Sequence, residues 1–202
     1  DLLISFWGPT LYGHTITSWE FADGGHLAVS IETRKEKGEE YSALKGFFRQ
    51  YELYYVIADE RDVVGLRTNH LGETVQLYRI RASADKGRAL LLDYVKEINA
   101  IAKQARWYNA LTQNCTTTIW HHTRVVGSGP SLDWRLLANG QLVDLAYERG
   151  TVNDDIGLDA PALGTTGGLI IESSNYCRDQ STLPGLMERP QLAALAVVVD
   201  LA

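Results

Sequence analysis

Cys115 has the strongest chemical context in the chain. The run Ala110-Leu111-Thr112-Gln113-Asn114-Cys115-Thr116-Thr117-Thr118-Ile119 sets it between a polar turn and the first turn of an expected helix. Backbone N–H groups without helical partners and the positive end of the helix dipole stabilise a thiolate at such a position. The same groups can hold the oxyanion that forms when a thiolate attacks an acyl carbonyl. The plainer reading of Cys115 is a small buried hydrophobe. The only other cysteine is Cys177, so the pair could form one bridge or one of them could be reactive.

A nucleophilic thiol needs a base, and the chain offers His14, His26, His70, His121 and His122. His14 lies in Gly13-His14-Thr15-Ile16, inside an expected strand that would hold it rigidly. A three-residue loop at Asp23-Gly24-Gly25 places Arg34 opposite His14, with Glu32 as the diagonal neighbour on the same face. A carboxylate there fixes the histidine tautomer and stabilises an imidazolium. His26 falls at the hairpin mouth, roughly 20 Å along the ladder. A metal reading is also open. Cys115 and His122, seven residues apart, share a helical face, and His14 would be a third ligand. The spacing matches no zinc pattern, and the pair His121-His122 reads more simply as a cation at a helix C-terminus.

The elements that must position these groups follow from hydrophobic period. Residues 11–21 and 27–32 read as a hairpin. The charged run 32–40 reads as a solvated loop. Residues 51–58 form an aromatic and β-branched strand, 59–62 a turn, 63–68 a return, and 74–81 a further strand. Apolar residues recur at three and four from about Asp85 to Gln104, which predicts an amphipathic helix. A second helix is expected over Cys115 to Val125, capped by Asn114 or Thr112 and ended by Gly127-Ser128-Gly129-Pro130. Residues 134–147 read as helix interrupted at Asn139-Gly140, and 192–201 as the last regular stretch. The expectation is one α+β domain over 1–202, an antiparallel sheet packed against helices.

Composition bounds the function. Nineteen Lys and Arg against 25 Asp and Glu give a net charge of −6, which disfavours nucleic acid as a partner. No apolar run approaches the roughly 18 residues that span a bilayer. The chain opens at Asp1 and carries no basic and apolar leader, so it reads as the trimmed portion of a longer, exported protein.

Taken together, several blocks resemble one family. Gly13-His14-Thr15-Ile16-Thr17-Ser18-Trp19-Glu20-Phe21 is similar to the HTxxSFEF opening of the Lnb N-terminal periplasmic domain family, with Trp19 in the place of a Phe. Residues 27–39, 46–53, 58–62 and 66–69 follow the same pattern in order, as does Trp107-Tyr108-Asn109-Ala110-Leu111-Thr112-Gln113-Asn114-Cys115-Thr116-Thr117. The resemblance runs from about residue 12 to 150. It implies a circularly permuted papain-like fold of the NlpC/P60 type, in which the strand histidine precedes the helical cysteine. It implies Cys115 as nucleophile, His14 as base and Glu32 as the orienting third member. Asn114, Thr116, Arg34, Arg49 and Glu52 would support them or touch substrate. The family's namesake moves an acyl chain from the diacylglyceryl group of a bacterial lipoprotein to that lipoprotein's own N-terminal amine. The implied activity is thus an envelope thiol acyltransferase or hydrolase acting on lipoprotein or lipid acyl groups. No metal or organic cofactor is implied, and membrane proximity would come through a segment outside this sequence. The alternatives are a cysteine amidase or peptidase on cell-wall peptides, and a non-catalytic module that binds lipid or peptide. Cys177 receives no role from the resemblance.

Overall fold

The computed structural model describes residues 1–8, 13–34, 51–110, 112–127, 129, 131–137, 141–152 and the backbone of 169–171. Six antiparallel strands form one sheet in the order β4-β3-β2-β1-β5-β6. They are β1 (Leu2–Trp7), β2 (His14–Glu20), β3 (His26–Arg34), β4 (Glu52–Ala58), β5 (Val75–Arg79) and β6 (Leu169–Ile171). The helices are α1 (Glu60–Gly65), α2 (Ala84–Lys103), α3 (Cys115–Val125) and α4 (Leu142–Glu148). A π-helical turn over Leu66–His70 continues α1, and a short 3-10 turn spans Trp134–Leu136. The expected α+β architecture, an antiparallel sheet with packed helices, is what forms.

β1 carries no alternation of apolar and polar residues. All six of its residues are buried, because it pairs with β2 on one side and β5 on the other and is covered on both faces. Leu2 joins the core under α2 and α3 with Trp19, Val29, Ile31, Leu90, Tyr94 and Ile119. Ile4 and Phe6, on the same face, pack with Leu136, Leu142 and Leu145. Leu3 and Trp7 point the other way, toward Ile16, Ala28 and Val64 of α1. Sheet residues thus divide between a face under α2, α3 and α4 and a face under α1.

Two expectations about local structure are corrected. Residues 59–68 do not turn and return as a strand. Asp59 caps α1, its side chain accepting Arg61 N–H at 2.9 Å, and Val64 drives the helix into the core. The hairpin loop also lies one residue earlier than expected. Ala22-Asp23-Gly24 form it, closed by Phe21 N–H donating to the Gly25 carbonyl at 2.8 Å, with Gly24 in the left-handed region at φ +80°. The ladder therefore shifts by two residues, pairing Ile16 with Ser30 and Glu20 with His26. An even shift keeps every side chain on its face. It moves Glu32 from the diagonal to the position across from His14.

Glu32 ends the expected strand, and β3 runs on through Thr33 and Arg34, which the charged run places in a solvated loop. Residues 35–40 of that run lie outside the described residues, as do Arg49, Cys177 and the stretch 192–201.

Candidate active site

α3 begins at Cys115, and its cap is a reciprocal pair. The Asn114 side chain accepts Thr117 N–H at 2.7 Å, and the Thr117 hydroxyl accepts Asn114 N–H at 2.9 Å. Of the two caps expected, Asn114 is the one used. The Asn114 amide also donates to the Ala110 carbonyl at 2.7 Å, which ties the cap to the preceding turn. The thiol is thereby held at the positive end of an 11-residue helix.

His14 opens β2 on the α1 face, whereas Cys115 belongs to the α2 and α3 face. They meet where β2 begins, at the end of the sheet. There the imidazole and the backbone N–H of Thr15 both act on the ionisation of the thiol. Thr116 stands beside them, its hydroxyl 3.8 Å from Cys115 Sγ and 3.5 Å from the Thr15 hydroxyl. His14 Nε2 lies 3.1 Å from Glu32 Oε1 and 2.9 Å from the Ser30 hydroxyl, and Ser30 donates to Glu32 Oε1 at 2.7 Å. With Nε2 so engaged, Nδ1 is the nitrogen left for the thiol.

The electrostatics favour a thiolate–imidazolium pair. Burial alone would lower the His14 pKa, but the charge and hydrogen bond of Cys115, with those of Glu32, raise it to about 10. Burial pushes the Cys115 thiol up, and the opposing effects of His14, Thr116 and the Thr15 N–H win and lower it. Glu32 is held below the usual carboxylate range because His14, Ser30 and Arg67 outweigh its burial. Cys115 is only 4% exposed, while the His14 and Glu32 side chains are 22% and 23% exposed, so solvent reaches the site from the imidazole side.

Not every expected residue joins this group. Arg34 lies opposite Glu52, not His14, and the two pair with each other at 3.3 Å, bracing β3 against β4 two rungs beyond Glu32. His122 is neither a metal ligand nor a cation at a helix end. It is buried, with Nδ1 2.7 Å from Asp93 and Nε2 3.1 Å from the Tyr55 hydroxyl, which removes it from a ligand set with Cys115 and His14. Among the described residues no group of three or more His, Cys, Asp or Glu is placed to hold a metal ion.

Three neighbours of the site are not singled out by the sequence reading. Ser30 shares the face of Glu32 two residues along the same strand, so the alternation of β3 carries the signal that would find it. Arg67 and Trp7 have no such signal. The first depends on the π-helical turn, the second on a strand with no alternation.

The sequence pattern of the Lnb N-terminal periplasmic domain matches residues 1–140. The match starts earlier than the motif resemblance, taking in β1, and ends earlier. No curated protein and no solved structure matches the chain. Trp7, His14, Ser30, Glu32, Arg67 and Cys115 all lie inside the matched span, which covers 140 of 202 residues. The chain therefore belongs to the Lnb N-terminal periplasmic domain family, described as periplasmic.

Proposed function

We propose that this periplasmic domain is a thiol enzyme that carries an acyl group as a Cys115 thioester. The observation that supports it is the buried Cys115 at a helix N-terminus, its thiol pKa lowered by His14, with Glu32 on Nε2 of that imidazole. In this reading the Cys115 thiolate attacks the ester carbonyl of a lipoprotein or lipid acyl group. First-turn N–H groups of α3 and the Thr116 side chain lie beside the oxyanion. The acyl C–O bond breaks, and the His14 imidazolium gives its proton to the departing glycerol oxygen. An amine, or water, then attacks the thioester carbonyl. His14 takes the proton of the incoming group, and the C–S bond breaks to restore the thiolate. Glu32 holds the ring and stabilises its protonated form.

The arrangement of a strand histidine preceding a helical cysteine fits a permuted papain-like fold of the NlpC/P60 type. Membrane association would then be supplied from outside the residues described.

The test is incubation of wild-type protein and Cys115→Ala with a diacylglyceryl lipopeptide bearing a free N-terminal amine, read by mass spectrometry. Wild type should move an acyl chain to the amine or release it as free acid, and Cys115→Ala should do neither. Muropeptides, tested in parallel, should remain intact. Their cleavage with the lipopeptide untouched would replace acyl-ester chemistry by amidase chemistry. Inertness toward both, with Cys115 alkylated no faster than an ordinary thiol, would leave a binding module.

A further inference from the structure

Arg67 closes the outer side of the site. It sits on the π-helical turn Leu66–His70, where Leu71 N–H reaches the Leu66 carbonyl at 3.1 Å and the Thr68 hydroxyl donates to the Val64 carbonyl at 3.1 Å. π-helical turns inside α-helices occur frequently at functional sites. From this turn Arg67 Nη2 lies 3.6 Å from Glu32 Oε1, and Nη1 lies 3.5 Å from Glu73 Oε2. Its guanidinium stands 4.8 Å from the ring centre of Trp7. His14 also packs on that indole, its ring centre likewise 4.8 Å away. Trp7 is 6% exposed, so this wall is fixed. Both terminal nitrogens of Arg67 face carboxylates, while its Nε is buried without a hydrogen-bond partner among the described residues.

We propose that Arg67 is a positioning residue for the Cys115–His14–Glu32 relay, acting on His14 through Glu32 and the shared Trp7 wall. The inference rests on the thiol-enzyme reading. A carboxylate turns easily about its last bond, and Glu32 must present one oxygen to His14 Nε2. Arg67, Ser30 and His14 all address that same oxygen, Oε1. The cation adds to the larger effects of His14 and Ser30 in keeping Glu32 ionised, which favours a proton held on the imidazole. Without the cation Glu32 is freer to turn from Nε2, and the imidazolium loses its anion; this outweighs the relief of repulsion between Arg67 and the imidazolium, so the thiol pKa rises.

The experiment follows the rate of iodoacetamide alkylation of Cys115 against pH in the full chain, with modified peptides identified by mass spectrometry. Arg67→Met and Arg67→Gln should move the acid-side limb upward by about one pH unit, an about tenfold slower reaction below the limb. Arg67→Lys should recover most of the shift, because it restores the charge. Either neutral variant suffices if the other does not fold. A folded neutral variant that keeps the wild-type limb, whether or not its melting temperature falls, overturns the inference and leaves the thiol-enzyme reading intact. A wild-type limb near that of an ordinary thiol sinks the thiol-enzyme reading itself.

Discussion

His14 and His122 each press one ring nitrogen against a carboxylate, at 3.1 Å from Glu32 and 2.7 Å from Asp93. Their proton affinities nevertheless move in opposite directions. Burial lowers that of His122, and Asp93 does not offset it. Burial would lower that of His14 too, but the anionic partners of His14 reverse the outcome. The difference lies at the other nitrogen. His14 meets a thiol whose pKa is lowered, whereas His122 meets the Tyr55 hydroxyl, whose own ionisation burial makes far harder. Tyr94, fully buried and stacked on the His122 ring at 3.9 Å between ring centres, adds no charge. A carboxylate beside a histidine therefore serves a structural joint in one place and, in the proposed mechanism, a base in the other. What decides is the second partner.

The sharpest way to break this comparison is to remove each imidazole. His14→Ala should slow Cys115 alkylation at pH 7.5 by about 10² or more, the usual range for losing a positioned base. His122→Phe should leave that rate within about threefold, since the residue bonds neither the thiol nor its base. Equal losses would mean that the two histidines are not different in kind. Stability should show the reverse order. His122→Phe deprives Asp93 and Tyr55 of their partner in the core and should cost roughly 2–4 kcal/mol in urea unfolding. His14→Ala, at a partly exposed position, should cost less than His122→Phe.

The pH dependence of stability separates the pairs in another way. In the proposed thiolate–imidazolium state, toward which the lowered thiol and raised imidazole values point, the folded Cys115–His14 pair holds one proton, on the imidazole. Unfolded, the two groups titrate near their ordinary values of 9.0 and 6.5. Between those values both states bind one proton, and the pair contributes no slope. Above 9.0 the unfolded chain loses its thiol proton while the raised imidazole keeps its own, so stability falls as pH rises. Below 6.5 the unfolded chain binds two protons and the folded pair one, so stability falls as pH drops toward the lowered thiol value. Each limb has a slope of at most about 1.4 kcal/mol per pH unit. Thermal melts from pH 5 to 10 should show both limbs shrinking in Cys115→Ala. Unchanged limbs would mean that the thiol is protonated in the folded protein.

Much of this site is legible in the residues themselves. Local signals carry Cys115 and its cap, because a polar turn followed by a helical period needs only neighbouring residues. The face shared by His14 and Glu32 is also legible, since strand parity survives a two-residue shift of register. What stays hidden depends on distant packing. β1 has no polar face because the sheet is covered on both sides there, so no alternation marks Leu2–Trp7. Asp59 begins a helix where its sequence also suits a turn, and that choice is made by Val64 finding the core. Arg67 reaches Glu32 from an element whose existence depends on the same choice. His122 gives the most misleading signal. Its place near a helix end suggests an exposed cation, and only the packing of α3 against α2 and β4 puts Asp93 and Tyr55 around it.

The two histidine sites also share α3, with Cys115 at its start and His122 in its last turn. A change at the cap should therefore reach one and spare the other. Asn114→Ala removes the acceptor for Thr117 N–H and should cost about 1 kcal/mol, loosening the first turn. Cys115 alkylation should slow severalfold, with the His122 end unmoved, as the imidazole chemical shifts would report. Asn114→Asp separates geometry from charge. It keeps a capping oxygen and suits the helix dipole, so stability should hold. The new carboxylate lies beside the nascent thiolate, however, and should raise the thiol pKa and slow alkylation at neutral pH. If Asn114→Asp instead reacts as fast as wild type, the cap acts on the thiol through position alone, and the charge balance around Cys115 is set entirely by His14.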